Sequence, residues 1–78
     1  MKRVEVIWRD ILSLDGWHNQ NKIDRFISNS ADEVVQLGYL YEEDESQVVL
    51  LTNYFKDKSL YGTTHRIPKG CIVKITEL

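Results

Sequence analysis

Residues 33–57, EVVQLGYLYEEDESQVVLLTNYFKD, decide the fold. Two runs rich in Val, Leu, Tyr and Phe flank an acidic stretch. Side chains of this kind suit a pleated, half-buried surface. Residues 33–44 and 46–57 therefore read as two strands joined by a turn near Asp44-Glu45. The turn lacks an Asn-Gly pair, so it leaves the register open. In the second run Val48, Leu50 and Tyr54 fall on one side, and Val49, Leu51 and Phe55 on the other. A small barrel covers only its inner face. The outer face then needs a short helix, a partner subunit or a ligand. This predicts a homo-oligomer, formed by strand pairing or face packing.

Outward from this pair, residues 3–12, RVEVIWRDIL, place Val4, Val6 and Trp8 on one face of a strand, with Glu5, Ile7 and Arg9 on the other. Asp15-Gly16 marks a turn. Residues 19–30 change period: Ile23, Phe26 and Ile27 predict a short amphipathic helix, with Asn19 or Asn21 as its cap. Residues 59–68 predict a fourth strand, with Gly62 at a bend and Pro68 at its end. Residues 71–78 predict a fifth, with Ile67 and Ile72 in the core. The expected fold is mainly β: one domain spanning 1–78, a small five-stranded barrel or bent sheet with one short helix. The ending IPKGCIVKI resembles the last link of Src-homology-type and Sm-like small barrels, where one helical turn starting at a proline joins the fourth and fifth strands.

The chain has 78 residues, 42% hydrophobic and 28% charged, which is a globular balance too small for a large core. Its net charge of −2 gives no general basic footprint for DNA. No apolar run reaches membrane-spanning length, and MKRVEVIW lacks the apolar stretch of a secretory signal. The lone Cys71 forms no internal disulfide and fits a reducing compartment, so a cytoplasmic protein is expected. One Cys with His18 and His65 falls short of a zinc site. The acidic run 42–45 lacks the spacing of a calcium loop and reads as a solvated hairpin tip.

Catalytic patterns are missing. Cys71 and the serines at 13, 28, 30, 46 and 59 sit in no nucleophile elbow, and no phosphate-binding glycine loop occurs. The chain reads as a non-enzyme without a cofactor. What it does carry is rings and a few cations. Trp17 and Tyr39 are candidates for stacking; Arg9, Arg66 and Lys69 are candidates for phosphate contact; His18 or His65 is a candidate neutral donor. Each has a structural alternative. Trp8 aligns with the core, the tyrosines fit a subunit interface, and Trp17 either packs over the barrel mouth or touches a ligand or partner.

The pattern VIWRDI, DGW, LGYLYEEDESQVVL and RIPKGCIVKITEL resembles a family of short phage and prophage proteins. They share a W-x-D-I start, a Gly-Trp, a G-Y-L strand before an acidic turn and an I-P-K-G-x-I ending. Residues 19–33 fall outside the match. Some such proteins are sponges that bind cyclic nucleotide immune signals without cleaving them. The resemblance implies an anti-defence protein of the host cytoplasm that sequesters a cyclic nucleotide, with a cyclic dinucleotide as first choice and Trp17 at the pocket mouth. The alternatives are an interaction module that inhibits a host protein and a Sm-like ring that binds single-stranded RNA.

Overall fold

The computed structural model describes residues 1–29 and 32–78. Among them the chain forms β1 (Arg3–Arg9), α1 (Gln20–Ser28), β2 (Glu33–Glu43), β3 (Gln47–Leu51), β4 (Thr64–Pro68), a single 3-10 turn (Lys69–Cys71) and β5 (Ile72–Glu77). The strands make one antiparallel sheet in the order β4-β3-β2-β1-β5. Of the two forms expected, the sheet takes the bent one and stays open. The link after Pro68 is one helical turn, as the ending predicts, and it delivers β5 to β1 rather than back along β4.

The predicted strands are shorter at their ends. Strand β1 stops at Arg9, so Ile11 and Leu12 leave the sheet. Strand β3 stops at Leu51, and residues 52–63 form a loop in which Tyr54 and Tyr61 bridge. The predicted helix end at Ser30 lies outside the described residues.

Alternation places the core. Val4, Val6, Val48, Leu50 and Ile67 are buried together on the concave face, with Trp8, Leu40, Ile72 and Ile75 packed against them. Each fully buried side chain of this size contributes roughly 1.5–3 kcal/mol. Val49 and Leu51 point to the convex face yet are also buried. Tyr39, the register partner of Leu51, meets Tyr54 edge-on, and Tyr41 meets Tyr61 likewise. That end of the outer face is therefore attended by the chain's own tyrosines. The short helix does not cover the sheet, since none of its residues is buried.

The β2–β3 hairpin turns without Asn-Gly because Asp44 supplies the order. One carboxylate oxygen accepts from the Ser46 N–H at 2.8 Å, the Ser46 hydroxyl at 2.9 Å and the Gln47 N–H at 2.9 Å. The Asp44 N–H donates to the Gln47 carbonyl at 3.0 Å. These bonds favour the charged carboxylate and hold its pKa below the ordinary value. The sign of the linkage follows: the stabilisation is full above the unfolded-state aspartate value, about 3.9, and is lost as pH falls through the folded value. Asp44→Asn should flatten that acid limb of stability, measured by urea melts across pH; an unchanged limb would show that the turn owes nothing to the charge.

Gly62 closes the 52–63 loop. Its N–H donates to the Asn53 carbonyl at 2.8 Å. A Cβ there would lie 1.6 Å from Asn53 Oδ1 and 3.0 Å from its backbone oxygen. Gly62→Ala should cost about 1–3 kcal/mol in a chemical melt. A neutral result would mean that the loop shifts freely.

Candidate functional site

The sheet's curl creates a cleft of about 540 Å³ where the ends of β1 and β4 approach each other. That volume is within the range of small-molecule sites. Trp8, Gln36, His65, Ile67 and Cys71 line it together with Arg9, Asp10 and Arg66. Trp8, Gln36 and His65 occupy inward positions of β1, β2 and β4, as their register partners show: Gln36 faces Val6, and His65 faces Leu50. Arg9 and Arg66 also border the cleft; both are exposed and occupy outward strand positions, next to the inward Trp8, His65 and Ile67.

A polar chain crosses the floor. The Trp8 indole N–H donates to Gln36 Oε1 at 3.0 Å, and Gln36 Nε2 contacts His65 Nδ1. An indole N–H can only donate. It therefore fixes Oε1 of Gln36 as the acceptor, and Nε2 as the amide nitrogen that donates to His65 Nδ1. In the neutral imidazole the proton then sits on Nε2, and that N–H is left as a donor for the cleft. The cleft is bordered by two arginines, an imidazole donor and one carboxylate. Asp10 turns a carboxylate oxygen to the Ile11 N–H at 2.9 Å. Such a set suits a compact anion: Arg binds phosphate bidentately, and a neutral imidazole adds direction without charge.

The predicted site residues divide. Arg9, His65 and Arg66 all border this cleft, His65 from an inward strand position and the two arginines from outward ones. Lys69 does not: its ammonium pairs with Glu43, and its N–H donates to Ser46 at 2.9 Å, so it ties the 3-10 turn to the hairpin tip. Tyr39 lies on the other face against Tyr54. Trp17 is fully exposed rather than packed over the barrel mouth, and His18 contacts the Asp15 carbonyl within the turn at Gly16, whose φ of 91° suits glycine. Sequence reasoning assigned Trp8 to the core alone and passed over Gln36. The signal for Gln36 was there: in 33–40 it is the polar side chain on the inward alternation of an otherwise apolar strand. Among the described residues no cluster of His, Cys, Asp and Glu could hold a metal ion. No helix among them is long and apolar enough to cross a membrane.

No family model, no curated protein and no solved structure matches the chain.

The hydrogen-bond chain makes a spectroscopic prediction. Nitrogen-15 correlation spectra of neutral His65 should show the Nε2–H tautomer. Gln36→Leu should abolish that bias and cost about 1 kcal/mol or somewhat more, since it orphans the Trp8 N–H. Dominance of the Nδ1–H form in the parent protein would contradict the assignment.

Proposed function

We propose that this protein binds a small nucleotide-type anion in the cleft and holds it without cleaving it. The hydrogen-bonded chain Trp8–Gln36–His65 in a cleft bordered by Arg9 and Arg66 carries the reading. The resemblance to short phage proteins favours a cyclic dinucleotide as the ligand. On this reading the protein works in the cytoplasm of an infected cell and lowers the free level of an immune signal. The overall charge of −2 fits a short ligand better than a polymer, because two rim cations serve one or two phosphates. A sequestering protein needs tight binding; nanomolar affinity corresponds to about 12 kcal/mol. Rim arginines alone do not reach that. A preorganised floor, locked by the tautomer of His65, reduces the ordering cost.

Calorimetry against a panel of cyclic di- and trinucleotides tests the reading. A cyclic dinucleotide should bind below micromolar and be recovered intact. Arg66→Ala should weaken binding about 10- to 100-fold, as loss of a charged hydrogen-bond partner does. Trp17→Ala should leave it unchanged, because Trp17 is outside the cleft. If no member of the panel binds below micromolar, the sponge reading fails and a protein-interaction module replaces it.

A further inference from the structure

The polar chain on the cleft floor has a property that its members do not have singly. An indole N–H only donates, and an amide has one accepting end and one donating end. With the Trp8 N–H on Gln36 Oε1, the amide offers His65 its Nε2 N–H and nothing else. That bond lands on the lone pair of His65 Nδ1. In this tautomer Nε2 already carries its hydrogen, so Nδ1 is the basic nitrogen of the ring. A proton taken up from water therefore adds to the very atom that accepts from Gln36.

Charging the ring leaves the chain without an arrangement that satisfies it. Imidazolium has two donors and no acceptor. Its Nδ1 N–H would face the Gln36 N–H. Turning the amide over gives Nδ1 an acceptor, but sets the amide N–H against the Trp8 N–H. Either way one bond of the chain is lost. Burial decides which. Trp8 and Gln36 are half-buried, where an unmade hydrogen bond is costly, whereas His65 is exposed and water can solvate its charged ring. We infer that Trp8–Gln36–His65 is a proton-operated latch: the neutral His65 ring is held on the cleft floor, and one proton releases it to solvent while the Trp8–Gln36 bond stays.

Gln36 on β2 and His65 on β4 are not sheet neighbours, because β3 runs between them. The latch thus ties strands across the concavity, and its release withdraws the Nε2 donor from the cleft. The charged and titratable groups around the ring are few. Arg9 and Asp10 border the cleft from the end of β1, Arg66 from β4 itself, and Cys71 from the 3-10 turn. Opposite His65, β3 presents the apolar Leu50, and β2 presents the uncharged Gln36. Among the described residues no other titratable side chain lines the cleft. The latch rests on the count of donors and acceptors and needs none of these charges.

Histidine changes charge between about pH 5 and 8, so nuclear Overhauser contacts between the His65 ring and the side chain at position 36 are followed across that range. In the parent protein they should be present at the alkaline end and lost at the acid end, with the Gln36 side-chain amide signals moving in the same step as the ring. Gln36→Glu places a carboxylate in the chain. It accepts from the Trp8 N–H and from the charged ring together, so the contacts should persist at the acid end. Trp8→Phe removes the donor that fixes the amide. The freed amide turns its oxygen to the charged ring, and the contacts should again persist. Gln36→Glu preserves side-chain shape and leaves the buried core untouched, so it decides the matter even if Trp8→Phe fails to fold. Contacts that survive acid in the parent protein, or that are lost alike in the parent and in a folded variant, would overturn the inference. No ligand is added, so the result stands apart from that of the nucleotide reading.

Discussion

A single sheet has no second layer, so this chain must cover its apolar concave face with the sheet itself. Everything else follows from how it curls. Val4 and Val6 from β1, Val48 and Leu50 from β3, and Ile67 from β4 meet only because β4 swings across the concavity toward β1 and β2. With five core aliphatics at roughly 1.5–3 kcal/mol each, the gain is small against the ordering entropy of 78 residues. The stability margin is correspondingly narrow, and local devices such as the Asp44 turn and the Lys69–Glu43 pair acquire weight.

The same curl places polar groups where the core runs out. Trp8 is apolar toward the core and has one N–H to satisfy at the rim. Gln36 satisfies it and passes direction to His65 on β4, three strands away in sheet order from Trp8 on β1. The hydrogen-bond chain is thus both a strut across the concavity and the floor of the cleft. A group that supports the fold and also orients a donor costs little extra to hold still, which is the condition for preorganised recognition.

The half of the sheet that the loop tyrosines leave open poses the opposite problem. Val49 and Leu51 are buried, but Val35 and Leu37, at the arm end of β2, are not. The arm between β1 and β2 carries apolar residues that its own chain leaves in water. Cys71 is free, so no internal disulfide offsets the cost of leaving these side chains wet.

The sequence by itself determined the element types. Alternation in 3–9 and 47–51, the 3.6-residue period at Ile23, Phe26 and Ile27, the Asp15-Gly16 turn and the Pro68 stop are local properties, set by side-chain shape and backbone sterics. It also held the membership of the core, because inward alternation and apolar identity coincide at Val4, Val6, Val48, Leu50 and Ile67. Only the tertiary structure decided which candidate site residues meet. Arg9 and Arg66 are 57 positions apart in number, and both border the one cleft. Lys69 was lost to Glu43, Trp17 to the arm and Tyr39 to the opposite face, because charge pairing, chain path and strand parity are not properties of a residue type. The tautomer of His65 lies furthest from the sequence: it depends on a donor in β1 and an amide in β2, and is set only when the strands are assembled.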